Sequence, residues 1–416
     1  MIENGYFIIE NGVLTGITEE AMKLEELVIP DGVIEIGRGA LDAFPIIHSL
    51  FSKKKERMNR SPRQTVCLFT KITLPNSVRK IGDYAFAGCN TLEEINIPGS
   101  VIEIGVGAFS CCARLENVTI PNGVTKILQG VFSGCASLKK VSIPDSVTEI
   151  GDCAFANCWA LDDICIPVSV TEIDDGVFKD CKSLKEMIIP NSVTKISEAL
   201  FYGCKSLRNI SIPDSVTKIN ADAFNCCSRL EEISIPDSVN YIGARAFYGC
   251  ARLKEIAIPS GITKICCKTF HNCISLKSIS LPDTITKIKT DAFYGCKSLK
   301  NIDIPEGVIY IGSGAFNNCY SIKKINLPNI IKIHARTFEY CISLEKMVIP
   351  STVIKIGEGA FWGCESLEKV NIPDSVEEIG RQVFGDCDSL SKVIVPKNVE
   401  LKWNTFPKGC EIIRQD

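Results

Sequence analysis

The chain has 416 residues, of which 45% are hydrophobic and 23% are charged, and its formal net charge is −3. This composition excludes a disordered chain, and the small net charge gives no general attraction to nucleic acid or anionic membranes. The opening MIENGYFIIENG lacks the pattern of a secretory signal, and no apolar run reaches the roughly twenty residues of a membrane span. The sequence as written therefore predicts a cytoplasmic protein by default, without membrane insertion.

In chain order, the sequence divides into five segments. Residues 1–29 are predicted to form an N-terminal cap, and residues 30–41 a partial first repeat. An irregular insertion at 42–66 precedes a repeat array at 67–396, and residues 397–416 close the chain as a C-terminal cap. Terminal segments that depart from a repeat are expected to be caps, because the exposed end of a repeat core would otherwise aggregate.

A period of 23 residues runs through the array and explains most of the 22 cysteines. Proline and phenylalanine follow the same period, and one step of 22 residues occurs near the C-terminal end. Pairwise disulfides have no reason to be periodic, whereas a position in a repeat has one. The fourteen periodic cysteines are Cys89, Cys112, Cys135, Cys158, Cys181, Cys204, Cys227, Cys250, Cys273, Cys296, Cys319, Cys341, Cys364 and Cys387.

One unit, Leu92 to Arg114, shows what each position does. Ile95 and Ile97 alternate with polar residues, which indicates a short strand with one buried face. The proline that follows ends this strand, and Phe109 and Cys112 lie on one face of a segment on the far side. A self-similar period of 20–29 residues with such a pattern is typical of leucine-rich repeats. The predicted fold is a leucine-rich repeat solenoid of about fifteen coils in one array, with a parallel β-sheet on one face and short helical or 3₁₀ segments and turns on the other.

The unit Ile143 to Cys158, IPDSVTEIGDCAFANC, and its copies resemble the BspA-like, or Treponema pallidum-type, leucine-rich repeat. The resemblance covers about residues 24–42 and 66–410. The opening Phe7–Leu14 resembles the N-terminal cap of bacterial members. Membership implies a cell-surface protein with a role in adhesion or protein binding, so the cell surface is the alternative to a cytoplasmic location.

Catalytic, metal and cofactor sites are not predicted. No Cys-x-x-Cys occurs, the three histidines are not in ligand spacing, and no Gly-x-Gly is completed to a phosphate loop. Acidic and serine residues recur with the repeat, whereas catalysis needs one unique constellation. The periodic cysteines are interpreted as inert packed thiols, and the adjacent pairs at 111–112, 226–227 and 266–267 leave a redox role open.

The outward positions four residues before each proline are the candidate binding surface, on the concave face of the sheet. Acidic residues cluster in the middle of this column, and four lysines in succession end it. The predicted function is a non-enzymatic scaffold that binds a protein or a glycan there, as a monomer and without nucleic acid. The alternative is a structural array with no specific partner. The predicted contact residues are Asp163, Glu186, Asn209, Glu232, Glu255, Lys324, Lys346, Lys369 and Lys392.

Two further features leave alternatives open. The insertion at 42–66 contains the basic run Ser52–Arg57 and lacks any period, which leaves a basic patch, a flexible surface loop or a frameshifted or unspliced stretch as interpretations. Aromatic residues that follow the repeat phenylalanine are either half-buried packing residues or a second contact surface. These are Tyr202, Tyr248, Tyr294 and Trp362.

Overall fold

A computed structural model describes residues 2–3, 5–42, 68–397 and 399–414. Residues 43–66 of the predicted insertion lie outside the described residues. The chain divides into two compact units, Met1–Val193 with Gly203–Lys205, and Thr194–Tyr202 with Ser206–Asp416. Each unit is a parallel β-solenoid, and together they contain about 16 turns. The predicted solenoid fold is confirmed.

Most coils carry two short strands, one on either side of the proline. The first, which we call the pre-proline strand, places one residue inward between two outward residues, as in Glu94–Asn96. The chain then turns, with the Val101 N–H donating to the Pro98 carbonyl at 3.0 Å. The second, which we call the post-proline strand, is the pair Glu103–Ile104, with its isoleucine buried.

The first unit begins with an antiparallel hairpin, and its coils follow in parallel register. Strands Ile2–Glu3, Phe7–Glu10 and Val13–Ile17 pair antiparallel, and the last of them joins the post-proline strands in parallel. A 3₁₀ turn occupies Ala21–Lys23. The pre-proline strands are Glu26–Val28, Lys71–Thr73, Glu94–Asn96, Asn117–Thr119, Lys140–Ser142 and Glu186–Ile188. The post-proline strands are Glu35–Ile36, Lys80–Ile81, Glu103–Ile104, Lys126–Ile127, Glu149–Ile150 and Glu172–Ile173.

The second unit repeats this plan and ends with Glu411–Arg414 paired in parallel to the last pre-proline strand. Its pre-proline strands are Asn209–Ser211, Glu255–Ala257, Ser278–Ser280, Lys346–Val348, Lys369–Asn371 and Lys392–Val395. Its post-proline strands are Lys195–Ile196, Lys218–Ile219, Tyr241–Ile242, Lys264–Ile265, Lys287–Ile288, Tyr310–Ile311, Lys332–Ile333, Lys355–Ile356 and Glu378–Ile379.

The post-proline strands form a second series of short, mostly parallel sheets that the sequence pattern did not predict. A half-buried strand is recognised by alternation with a period of two. Here Val101 and Ile104 are both buried although they lie three residues apart, because the proline turn reorients the chain between them. A search for residues that alternate with a period of two therefore does not find the post-proline strands.

The core of each unit is built from identical residues stacked on one another. In the first unit the rings from Phe86 to Phe178 stack in succession with centroids 5.1–5.9 Å apart. In the second unit the rings from Phe201 to Phe406 do the same at 5.2–5.6 Å. All fourteen periodic cysteines are fully buried beside these rings. This arrangement gives both solenoids a dry core along their length.

The far side of each coil consists of turns rather than helical segments. The Ala108 N–H donates to Gly105 within the coil at 3.2 Å, but the next N–H, of Phe109, donates to Val131 of the following coil at 2.9 Å. Two residues later, Cys111 has a φ of 59°, which a helix does not allow. The predicted turns are therefore present. Successive N–H groups donate alternately within the coil and to the next coil, so the predicted helical segment does not form.

Candidate functional site

Some charged side chains on the surface form ion pairs with the residue one coil away. In the first unit Lys126 pairs with Glu149 at 2.8 Å, and in the second Lys254 pairs with Glu231 at 2.6 Å. Each pair spans 23 residues, because equivalent positions stack. Exposed columns in which this neutralisation fails are the candidate binding surfaces, since their charges remain available to a partner.

All nine predicted contact residues are exposed. Asp163 and Glu186 belong to the first unit, where Glu186 begins a pre-proline strand and Asp163 lies in a coil without an assigned pre-proline strand. The other seven belong to the second unit and fall into two groups along the column four residues before each proline. The first group, Asn209, Glu232 and Glu255, is called the acidic group after its two glutamates. The lysine group consists of Lys324, Lys346, Lys369 and Lys392.

A shallow groove of about 800 Å³ contains the acidic group within the second unit. Glu232 and Glu255 line it together with Asn209, and Asp303 extends the acidic wall. The outward positions between these carboxylates are small, with Ser234 among them. The groove is therefore an open acidic surface whose lining also includes aliphatic residues such as Ile233 and Ile256.

The groove carboxylates form no ion pair in the described part of the chain, unlike Glu231 beside them. Glu231 accepts a hydrogen bond from Lys254, which lowers the pKa of the Glu231 carboxyl and raises that of the lysine. Among the described residues, Glu232, Glu255 and Asp303 have no ion-pair partner within 4.0 Å. Their negative charge is therefore available for a cationic ligand.

The lysine group follows the groove in the same unit. The backbones of Lys324 and Lys346 form an isolated parallel β-bridge, and Lys346 lies opposite Lys369 in parallel register. Lys392 is the member with a carboxylate partner, Glu411, at 3.4 Å. The pre-proline surface of the second unit thus carries an acidic segment followed by a basic one.

Asp303 is the groove residue that sequence reasoning missed. It stands two residues before Pro305, in a column occupied mostly by small residues. It is the acidic member of that column within the second unit. An acidic residue in a column of uncharged residues is the sequence feature that would have identified Asp303.

The profile of the BspA-type leucine-rich repeat region, in six copies, matches residues 64–185, 171–300, 263–391 and 331–413. These ranges together cover well over half of the chain. The chain belongs to the BspA-type leucine-rich repeat family.

Three solved structures illustrate the relationship. The chain is similar to a leucine-rich repeat protein from Bacteroides ovatus, with 27% identity, complete coverage of both chains and a TM-score of 0.70. It is similar to the pneumococcal vaccine antigen PcpA, with 19% identity, 100% and 98% coverage and a TM-score of 0.51. A leucine-rich cell surface protein from Faecalibacterium prausnitzii matches at 24% identity over 97% and 95% of the two chains, with a TM-score of 0.48. No curated protein matches the chain.

Proteins built from BspA-type repeats are generally non-enzymatic scaffolds, often at surfaces and in protein-binding roles. Within the described ranges, no cluster of three or more His, Cys, Asp or Glu side chains could hold a metal ion. No helix in the same ranges is both long and apolar enough to cross a bilayer. The off-repeat cysteines are the more accessible thiols, with Cys165 and Cys267 exposed and Cys111, Cys226 and Cys266 half-buried.

Aromatic residues on the turn side of the BspA-type coils stack rather than project. His271 lies between Tyr248 and Tyr294, with ring centroids 4.6 and 4.4 Å away. All three rings are half-buried, as is Trp362, whose Nε1 donates to Asp386 at 2.9 Å. Packing is thus the evident role of these aromatics.

We expect His271 to make the stability of the protein depend on pH. Burial, and secondly the charge of Lys268, lowers the pKa of His271 from 6.5 to about 4. The folded protein favours the neutral ring of His271. The contribution of this preference to the free energy of unfolding is complete above pH 6.5 and is lost as the pH falls towards 4. Between pH 7 and 4 the wild type should lose about 1–2 kcal/mol more unfolding free energy than His271→Phe, after allowance for partial exposure. Chemical denaturation at each pH measures this, and parallel losses in both proteins would contradict it.

Proposed function

We propose that the protein is a non-enzymatic scaffold that binds a protein partner through the acidic groove of its second unit. The observation that carries the proposal is the group of exposed carboxylates, Glu232, Glu255 and Asp303, which have no ion-pair partner in the described part of the chain. Complementary charge accelerates association and selects partners. The partner is therefore expected to present a lysine- or arginine-rich segment.

Three properties of the groove support a polypeptide ligand. Its small outward residues, such as Ser234, Ala257 and Ser280, let an extended chain approach the sheet closely. The hydroxyls of Ser234 and Ser280 offer hydrogen bonds to a peptide backbone. An acidic glycan is disfavoured, since the same carboxylates repel it.

The test is selection from a displayed peptide library, followed by affinity measurement on the best peptide. The wild type should enrich peptides rich in lysine and arginine. Reversing the charges in Glu232→Lys, Glu255→Lys and Asp303→Lys together should weaken binding by about tenfold or more, because each exposed charge contributes up to about 1 kcal/mol.

A matched control carries three reversals outside the groove, Asp214→Lys, Asp237→Lys and Asp283→Lys, at exposed positions in the proline turns. This control changes the net charge equally and should bind within about twofold of the wild type. Equal losses in both variants would contradict a role for the groove, as would a library that yields no basic peptides.

A repeat array without a specific partner is the second candidate. The composition of the groove favours it, because its outward residues include no Tyr, Trp or Arg, the residues that usually dominate binding energy at interfaces. Failure of the library to yield any reproducible ligand would support this candidate.

A further inference from the structure

The post-proline strands of the second unit carry a row of exposed lysines, which we call the lysine ladder: Lys195, Lys218, Lys264 and Lys287. Lys195 lies opposite Lys218 in parallel register, and Lys264 opposite Lys287. Neighbouring parallel strands lie about 4.8 Å apart. Stacked like charges at this distance oppose folding. The row is therefore not explained by stability.

Carboxylates do not neutralise the ladder. In the described part of the chain its four lysines form no ion pair within 4.0 Å, although acidic residues occupy the neighbouring proline turns. The acidic turn residues are Asp214, Asp237 and Asp283. The positive charge of the ladder is thus open to an external ligand.

The same column in the first unit shows the opposite arrangement. There Lys80 pairs with Glu103 at 3.2 Å and Lys126 pairs with Glu149 at 2.8 Å. Glutamate Glu172 follows in the next coil, opposite Glu149. Lysine–glutamate pairs are therefore compatible with this fold at these positions, and lysines in successive post-proline strands occur in the second unit alone among the described strands.

We propose that the lysine ladder binds a linear anionic polysaccharide that carries sulfate or carboxylate groups. Ammonium groups in a straight row match a polymer with repeated negative charges along its length. This surface is distinct from the acidic groove, so the inference does not depend on the function proposed above.

Threonines beside the ladder favour a polysaccharide over other polyanions. The Thr217 hydroxyl donates to the Thr194 carbonyl at 3.3 Å, and that of Thr286 to the Thr263 carbonyl at 3.2 Å. Each hydroxyl has used its proton and can offer only its lone pairs outward. A suitable ligand therefore combines anionic groups with hydrogen-bond donors. Polysaccharides have both, whereas the phosphodiester backbone of DNA has no donors.

Tyrosines interrupt the ladder but do not form a platform for bases. Tyr241 lies opposite Lys218, and Lys264 Nζ lies 5.8 Å from the centroid of its ring. Tyr310 lies opposite Lys287, with Lys289 Nζ 5.4 Å from its ring and His334 against it at 5.0 Å. Single-stranded nucleic acids stack their bases on free aromatic faces. Cations next to these rings instead extend the positive surface.

The test measures binding of the full chain to heparin fragments, which serve as a linear sulfated probe. The variant Lys218→Gln, Lys264→Gln and Lys287→Gln should lose about tenfold or more in affinity. The matched control, Lys277→Gln, Lys300→Gln and Lys408→Gln, removes the same charge from exposed lysines of the second unit outside both candidate surfaces and should stay within about twofold of wild type.

A second variant and two competing ligands complete the test. Replacing the same ladder lysines by arginine keeps the charge and should retain binding, and the glutamine variant should be at least as stable as wild type because repulsion is relieved. Three results would overturn the proposal: no binding of heparin by the wild type, equal losses in the ladder variant and its control, or tighter binding of an oligothymidylate or of phosphatidylserine vesicles than of heparin.

Discussion

Replacing Phe224 by alanine is expected to lower the free energy of unfolding by about 3–5 kcal/mol. Phe224 is fully buried and stacks between Phe201 and Phe247, with ring centroids 5.5 and 5.4 Å away. Its backbone carbonyl also accepts a hydrogen bond from the Cys250 thiol. Removal of the ring leaves a cavity whose walls belong to three successive coils, so the site cannot collapse around it.

Chemical denaturation followed by circular dichroism, with reversibility checked, measures this loss. Phe406→Ala is the matched control, because Phe406 is half-buried at the end of the row, 5.4 Å from Phe384. Its loss should be clearly smaller than that of Phe224→Ala. A cost below about 1 kcal/mol for Phe224→Ala would contradict the burial of the ring.

The periodic cysteines are expected to resist thiol reagents until the protein unfolds. All fourteen are fully buried, and burial raises the pKa of Cys341 to about 12 and that of Cys250 well above its usual value. The thiols donate to the carbonyl of a repeat phenylalanine, as Cys112 does to Phe86 at 3.2 Å, except that Cys89 donates to Leu41. Because only the thiolate reacts, labelling at pH 8 should be at least about a hundredfold slower than at the exposed cysteines.

Labelling with an aromatic disulfide reagent, read by mass spectrometry, distinguishes the two classes. The fast class should be confined to the off-repeat cysteines, and Cys165→Ser with Cys267→Ser should remove its fastest members. After denaturation all 22 cysteines should react. Fast labelling of Cys250 in the native protein, or extensive disulfides, would contradict inert packed thiols.

The sequence by itself determined the coil and its core. A repeat that cannot bury its own apolar stripe must stack on its neighbours, so the 23-residue spacing of Phe109 and Cys112 with their copies requires rows of like residues. The same spacing defines the outward columns, which is why Glu232, Glu255 and the four lysines from Lys324 were assigned to an exposed face that the structure also exposes.

Only the tertiary structure decided how the coils close and which charges stay free. The proline turn reorients the chain between Val101 and Ile104 and so creates the post-proline strands. On the far side of the coil, the Phe109 N–H donates to the next coil instead of forming a hydrogen bond within a helix. Charge availability likewise depends on which side chain stands one coil away and within reach. Lys126 has Glu149 as that neighbour, whereas Lys218 has none within 4.0 Å among the described residues. The 23-residue spacing shows which residues are neighbours, but whether their side chains come within reach is a distance that the repeat pattern does not encode.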